Sequence, residues 1–272
     1  MADTRTAYHL RTISDTGTLM VVGCGGTGGF VAEGLCRLLI GKNRRLILVD
    51  HDRVEDGNIG RQNFYKEDIG NFKSRVLAER LSRQFNREIE YTTERIENLP
   101  VGWRGMVTIG CVDNPEARKR LEFADETNQM GHYFYSYQHF GGWYIDAGNG
   151  EHHGQVLIGN ALLKEMKEVF LPGSGICNKL PLPTIQQPAL LVPEAKPLRR
   201  NNCAARVARQ EQSPVINRMM ADLVLVFVHK LLEGKLTWMG AYLNLETGAL
   251  STVEATPEAV GRITGQSVKN LE

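Results

Sequence analysis

A glycine-rich turn between an apolar strand and a helical stretch is the feature that most constrains the fold of this chain. The apolar run 18–22 ends directly at Gly23, and the spacing Gly23-x-Gly25-x-x-Gly28, with a further glycine at Gly26, follows it. Glycines at these positions permit a tight turn and let backbone N–H groups at a helix N-terminus approach a phosphate. The alternative is close helix–sheet packing without a ligand. We expect a nucleotide site on a Rossmann-like sheet.

The identity of the nucleotide is not decided by the turn alone. Asp50 directly follows the second apolar run, 46–49, where an acid can bind ribose hydroxyls, and it is a better candidate than Asp52. NAD, FAD, S-adenosylmethionine and ATP all remain open at this point. The Gly-Lys-Ser/Thr phosphate loop of ordinary ATPases is not present in the sequence.

Alternating strand and helix patterns over residues 18–130 predict an α/β fold. Helical spacing over 30–39 and 73–85 separates short apolar or β-branched runs, and Asn114-Pro115 is typical of a helix start. Such alternation predicts a mostly parallel sheet with helices on both faces. The predicted strands in this part lie at 18–22, 46–49, 89–93 and 106–109.

The second part, 131–272, has a different pattern, and we expect a β-rich continuation of one single domain. Aromatic and β-branched runs predict strands at 133–138, 143–146 and 155–158, and a strand pair around 238–244 closes the chain. Proline-rich sequence predicts an irregular crossover loop over 172–202. Between this loop and the last strands, residues 213–234 have the cap, first-turn proline and terminal glycine of a helix.

Composition excludes several classes of protein. The 272 residues carry 32 basic and 31 acidic side chains, so the strongest electrostatic argument for a nucleic-acid partner is missing. The longest apolar stretch, 219–232, is short and interrupted by charges, and the first residues lack the apolar core of a signal peptide. We expect a cytoplasmic protein without nucleic-acid or membrane partners.

Polar residues that follow Asp50 in the sequence narrow the choice of nucleotide. Asn58, Arg61 and Gln62 follow within one loop, Lys73 opens the next helix, and Asp113 follows the strand 106–109. Together with the glycine turn, this ordered set resembles the ThiF/MoeB/ubiquitin-activating superfamily. The resemblance covers about residues 18–130.

The resemblance implies ATP-dependent adenylation of a carboxylate, with residues that suit the chemistry. Negative charge that builds on the phosphates requires preplaced cations and N–H donors. Arg61 offers a fork for phosphate oxygens, Lys73 a mobile point charge, and Asp113 a carboxylate for Mg²⁺. By the same resemblance Asp50 binds the ribose of ATP, and Asn58 and Gln62 contact the nucleotide.

The remainder of the chain resembles a smaller branch, the ThiF-family protein of the PRTRC plasmid systems. The residues that carry this resemblance are 144–149, 154–156, the proline-rich crossing, 202–204, 211–213 and Asn217. The superfamily implies a small ubiquitin-like carrier protein as partner and a homodimer in which Arg5 or Arg11 reaches the ATP of the other subunit. The sequence does not decide between these two arginines.

The five cysteines form no C-x-x-C pair, so we expect reduced thiols and no structural zinc, in contrast to many ThiF and MoeB proteins. Cys203 follows Arg199 and Arg200, and positive neighbours lower a thiol pKa. Cys203 is therefore our first candidate for a thioester-forming nucleophile, with an inert packing role as the alternative. Cys177 is the second candidate, and the other three are expected to be packing residues. They are Cys24, Cys36 and Cys111.

Two other functions remain open at the level of sequence. A NAD-dependent oxidoreductase could use the same glycine turn, but it would leave Arg61, Lys73 and Asp113 unexplained. A catalytically idle family member could bind a nucleotide as a partner in a plasmid cassette. The histidines, including His152 and His153, have no metal-ligand spacing, and we expect them in loops or on strand faces.

Overall fold

The computed structural model describes residues 7–98, 106–122, 142–192 and 214–272. It contains one large mixed sheet and a small three-stranded one. The strands, numbered along the chain, are β1 (His9–Leu10), β2 (Leu19–Val22), β3 (Leu46–Val49), β4 (Glu90–Thr92), β5 (Val107–Gly110), β6 (Trp143–Asn149), β7 (His153–Gly159), β8 (Phe170–Leu171), β9 (Ile176–Cys177), β10 (Trp238–Asn244) and β11 (Ala249–Glu254). The order in the large sheet is β11-β10-β7-β6-β5-β2-β3-β4, and β1, β9 and β8 form the small sheet.

Seven α-helices accompany these strands in the described residues. They are α1 (Gly26–Leu38), α2 (Lys73–Phe85), α3 (Pro115–Glu122), α4 (Pro183–Gln186), α5 (Pro214–Leu232), α6 (Pro257–Thr264) and α7 (Val268–Leu271). No helix in the described part of the chain is both long enough and apolar enough to cross a membrane.

The parallel half of the sheet forms as the sequence predicts. Strands β4, β3, β2, β5 and β6 run parallel, with β2 paired in register to both β3 and β5. Side chains alternate between two apolar layers, because Leu19 and Val21 face the core under α1 while Met20 and Val22 pack with Leu121 of α3 on the other side. The predicted α/β fold, with helices on both faces, is confirmed.

The β-rich second part continues the same sheet. β7 pairs antiparallel with β6, β10 with β7, and β11 with β10, so three antiparallel strands extend the parallel half. The predicted strands at 143–146 and 155–158 correspond to β6 and β7. The predicted strand at 133–138 lies outside the described residues.

Two expectations for the second part need correction. The segment 172–192 holds β9 and the single turn α4 rather than only irregular chain, because Pro183 occupies the first turn of α4, where no N–H is needed. The chain is closed by α6 and α7, not by the last strand pair. Thr256 caps α6 by accepting the N–H of Ala259, a local signal that the sequence contained.

Helix α5 packs closely on α1 because a glycine permits it. A Cβ on Gly34 would stand 2.1 Å from Cδ1 of Leu225, so only glycine lets the two helices approach this far. The contact holds α5 alongside the helix that follows the glycine turn.

Candidate active site

The carboxyl ends of three neighbouring strands bring the predicted site residues to one edge of the sheet. The glycine turn follows β2, Asp50 follows β3, and Asp113 lies three residues after the end of β5. Gly23 has a φ of +86°, and a Cβ there would stand 2.6 Å from the carbonyl oxygen of Cys111. The turn and the end of β5 therefore lie against each other, as ligand sites of open α/β sheets require.

The first turn of α1 presents free backbone donors. The N–H groups of Gly25, Gly26, Thr27 and Gly28 find no acceptor among the described residues, and the first helical bond runs from Gly29 N to Gly25 O. A Cβ on Gly28 would stand 1.8 Å from the carbonyl oxygen of Gly23, so the turn can be this tight only with glycine. The arrangement can bind an anion through backbone N–H groups and the positive end of the helix dipole.

Asp50 is buried and fixed to the glycine turn. Its carboxylate accepts the N–H of Cys24 at 2.6 Å and the N–H of Asp52 at 2.8 Å. Burial raises the pKa of Asp50, and these two backbone donors oppose that rise. Ser74 supports the same strand end by donating its hydroxyl to the carbonyl of Asp50 at 2.8 Å. The two Asp50 oxygens keep further lone pairs for ribose hydroxyls.

Lys73 lies at the start of α2 next to Asp50. Its side chain is buried, and its Nζ is 3.1 Å from Oδ2 of the mostly exposed Asp52. His51 is 3.6 Å from the same carboxylate. Asp50, His51 and Asp52 form the one group of three potential metal ligands found among the described residues. The structure thus brings Lys73 close to Asp50 and Asp52.

The loop after β3 places Gln62 against the glycine turn. The Gln62 carboxamide lies 3.7 Å from where a Cβ on Gly25 would stand, and its buried Oε1 has no hydrogen-bond partner in the described part of the chain. Asn58 is buried and shapes the loop, because its Oδ1 accepts the N–H of Glu55 at 2.9 Å. Arg61 donates from Nε to the carbonyl of Gly57 at 3.0 Å, and no described carboxylate pairs with its guanidinium. That guanidinium is available for an anion.

Asp113 is exposed at the end of β5, and a buried ionic network supports the segment. Within the described residues, the Asp113 carboxylate contacts only Nδ2 of Asn114, at 3.5 Å. Arg118 donates to the carbonyl of Val112 at 2.8 Å and to both oxygens of Asp146. Burial raises the pKa of Asp146, while Arg118 and the hydroxyl of Tyr144 oppose that rise. A free carboxylate at this edge has the oxygen chemistry that Mg²⁺ prefers.

Two asparagines that the sequence suggested only through a family resemblance lie beside the glycine turn. Asn149 ends β6, and Asn217 lies in the first turn of α5. Both contact Thr27 in the first turn of α1. The sequence showed the two asparagines, but their separation along the chain hid the contact.

The described cysteines are poor nucleophiles. Burial raises the pKa of Cys36 to about 11 and raises those of Cys24, Cys111 and Cys177 as well. The second candidate nucleophile, Cys177, is fully buried, and its thiol donates to the carbonyl of Lys179. Cys203 lies outside the described residues.

The remaining predicted side chains lie away from this edge or outside the described residues. Arg11 packs at the opposite, amino-terminal end of β6, because its carbonyl accepts the indole N–H of Trp143 at 2.9 Å. Arg5 lies outside the described residues. His152 and His153 are exposed on the β6–β7 hairpin, as expected for loop or strand-face histidines.

Two solved structures have a fold similar to that of this chain. The chain is similar to E. coli MccB, with a TM-score of 0.58 and 15% identity over 89% of this chain and 63% of that chain. It is equally similar to PaaA, with a TM-score of 0.58 and 17% identity over 89% of this chain and 73% of that chain. These likenesses support the mixed sheet with its flanking helices.

Comparison of sequences gives relatives for the first part of the chain. The chain is 34% identical to ubiquitin-like modifier-activating enzyme 5 of Dictyostelium discoideum over 124 residues, which are 39% of this chain and 32% of that protein. It is 35% identical to the Gallus gallus enzyme over 133 residues, 43% of this chain and 32% of that protein. The matched segment thus spans about a third of these relatives. The ThiF family model matches residues 7–156, more than half of the 272 residues, and the chain belongs to the ThiF family.

Proposed function

We propose that this protein catalyses the ATP-dependent adenylation of a carboxylate at the C-terminus of a small ubiquitin-like protein or peptide. The observation that carries the proposal is the row of free N–H groups at residues 25–28, between Asp50 on one strand and Asp113 on another. Two kinds of similar protein support the substrate class. The relatives are ubiquitin-like modifier-activating enzymes, and solved structures of E. coli MccB include complexes with ATP and with MccA.

The reaction joins a carboxylate oxygen to the α-phosphorus of ATP while the bond between the α-phosphorus and the bridging oxygen to the β-phosphate breaks. The products are an acyl adenylate and pyrophosphate, which takes the bonding electron pair. The free N–H groups of the glycine turn bind the α-phosphate, and Asp50 accepts the ribose hydroxyls. Lys73 and Arg61 stabilise the negative charge that grows toward the leaving pyrophosphate.

Mg²⁺ is the metal that this donor set suits. Asp113 offers an exposed carboxylate, and Asp52 offers a second once a phosphate takes its place beside Lys73. When bound, the ion neutralises phosphate charge and favours departure of pyrophosphate.

Four further features belong to the proposal. Cys203 takes the acyl group from the adenylate as a thioester, and AMP leaves. The protein works as a homodimer, and the resemblance carried by 144–149, 154–156, 202–204 and Asn217 supports the PRTRC-system branch. The whole chain forms one ThiF-type domain, with residues 18–130 holding most of the nucleotide site.

Ligand-dependent stability tests the nucleotide half of the proposal. Thermal unfolding is compared without ligand, with Mg·ATP and with NAD, because a ligand at about 100 times its dissociation constant adds about 2.7 kcal/mol of stability. We expect stabilisation by Mg·ATP and a smaller effect in Asp113→Ala. Asp222→Ala, which removes an exposed carboxylate on α5, is the matched control and should behave like the wild type.

Other outcomes separate the rival functions. Stabilisation by NAD alone would favour an oxidoreductase and contradict the proposal. Stabilisation by Mg·ATP without pyrophosphate exchange, when candidate carrier proteins are supplied, would favour a catalytically idle nucleotide-binding partner.

A further inference from the structure

Three polar side chains from three elements meet at the first turn of α1. Thr27 donates its hydroxyl to Oδ1 of Asn149 at 3.2 Å, and Nδ2 of Asn149 donates to Oδ1 of Asn217 at 3.2 Å. The hydroxyl of Thr27 also lies 3.5 Å from Oδ1 of Asn217. In this arrangement the Oδ1 of Asn217 is used within the cluster and its NH2 group is not.

That NH2 group is a buried donor without an acceptor. Asn217 is fully buried, and its Nδ2 has no hydrogen-bond partner among the residues that the structure describes. The Nδ2 atom stands 2.4 Å from the position that a Cβ on Gly26 would take. Because Cα–Cβ bonds tilt toward the N-terminus of a helix, this position lies toward the same end of α1 as the N–H groups of residues 25–28.

Native structures leave few buried donors unpaired, so an unpaired one requires an explanation. Here the donor lies beside backbone N–H groups that also lack acceptors, and one anionic oxygen can satisfy both.

The asparagine cluster and Lys73 lie on opposite sides of the glycine turn. Lys73 lies on the β3 side of the glycine turn, while Asn149 ends β6 on the other side, with β2 and β5 between them. A phosphate at the turn therefore has charged donors on one flank and a neutral carboxamide donor on the other. The neutral donor stabilises the phosphate without placing a second full charge where a carboxylate must attack.

We infer that Asn217 donates from Nδ2 to an oxygen of the α-phosphate bound at the first turn of α1, with Asn149 and Thr27 holding its carboxamide in that orientation. The inference rests on the proposed function for the identity of the phosphate. It makes α5, an element outside the 18–130 segment, part of the nucleotide site.

The test compares AMP with adenosine, which differ by that phosphate alone. Asn217→Asp keeps the shape and the acceptor oxygen of Asn217 but replaces the free donor by a second oxygen. We expect the Kd of AMP, measured by calorimetry, to rise at least tenfold and the Kd of adenosine to change less than twofold. Asn217→Ala, which adds no charge, should raise the Kd of AMP about three- to tenfold and serves if the aspartate variant does not fold.

Asn160→Asp is the matched control. Asn160 is also buried, but its amide donates to the carbonyl of Asn178 and its Oδ1 accepts the N–H of Leu180, so both ends are paired. It should lower thermal stability and leave the ratio of AMP to adenosine affinity unchanged.

Three results would overturn the inference. They are an unchanged AMP affinity in both Asn217 variants, an equal loss for AMP and adenosine, and a wild-type protein that binds adenosine as tightly as AMP. An AMP preference that depends on Asn217, in a protein that shows no pyrophosphate exchange with candidate carriers, would instead remove the adenylation proposal and keep the inference.

Discussion

Lys73 carries a positive charge that is largely buried at the candidate site. A buried ammonium group is costly unless a counter-charge is near, and Asp52 supplies that charge from an exposed position 3.1 Å away. Because Asp52 is exposed, it can turn to solvent or to a metal ion when a phosphate arrives, whereas Lys73 is held by the helix start. In the proposed reaction, the cation is thus in place before the leaving group develops its charge.

Removing either cation of the site should slow adenylation by about 10²–10³-fold, the scale for losing a transition-state donor. Lys73→Met keeps the buried aliphatic chain and removes the charge, and Arg61→Ala removes the free guanidinium. The measurement is ATP–pyrophosphate exchange in the presence of the carrier. Lys66→Met, which removes an exposed lysine, is the control. Exchange close to the wild-type rate in both site variants would contradict the assignment.

The choice of nucleophile is also decided at the residue scale. Cys203→Ala should leave pyrophosphate exchange intact and abolish the thioester between enzyme and carrier, seen as a thiol-sensitive adduct on a non-reducing gel. Cys36→Ala should affect neither reaction, because burial raises the pKa of Cys36 to about 11 and leaves little thiolate at neutral pH. An adduct that persists in Cys203→Ala would place the nucleophile elsewhere.

At the scale of elements, local patterns were predictable and long-range contacts were not. The run 46–49 and the helical spacing 73–85 coincide with β3 and α2 because apolar periodicity and chain direction are local properties. The motif residues from Asp50 to Asp113 could be assigned to one edge because parallel strands share their carboxyl ends. Asn149 and Asn217 could not be, since their contact depends on how α5 packs on α1.

Helices α3 and α4 are joined by a buried carboxyl group. Glu122 accepts the N–H of Thr184 at 2.9 Å and also the Thr184 hydroxyl. Burial is the main cause that raises the pKa of Glu122 to about 7; Asp146 adds to the rise, and the Thr184 hydrogen bonds and Arg118 oppose it. The folded protein therefore holds a proton on Glu122 at a pH where the unfolded chain has released it.

This proton makes stability depend on pH. The contribution of Glu122 is fully present below the unfolded pKa, near 4.5, and is lost as the pH rises through 7. Between pH 5 and pH 8 the free energy of unfolding should fall by about 2–3 kcal/mol more in the wild type than in Glu122→Gln, which mimics the protonated side chain. Urea denaturation at the two pH values measures the difference. An equal fall in both proteins would show that Glu122 does not hold the proton.

At the scale of the whole molecule, the two parts that differ in sequence share one sheet and one core. The parallel strands and the antiparallel strands meet at β5 and β6, and a single apolar cluster includes residues from Leu10 to Leu271. The sequence showed a change of pattern near residue 130 because antiparallel strands carry other residue patterns than parallel ones. It could not show that the second pattern extends the first sheet, since that depends on strand pairing between distant segments.

A shared sheet and core predict that the chain unfolds in one cooperative step. In a Trp103→Phe variant, the two remaining tryptophans, Trp143 on β6 and Trp238 on β10, report on the second part through fluorescence. In the described residues, most of the helical signal in circular dichroism comes from α1, α2 and α5 on the shared core. We expect the two signals to give the same urea midpoint, and saturating Mg·ATP to raise both midpoints together, because the ligand would stabilise a single folded unit. If fluorescence changed at a lower urea concentration, with only the later transition responding to Mg·ATP, then the antiparallel extension would be a separate folding unit and the single-domain proposal would be wrong.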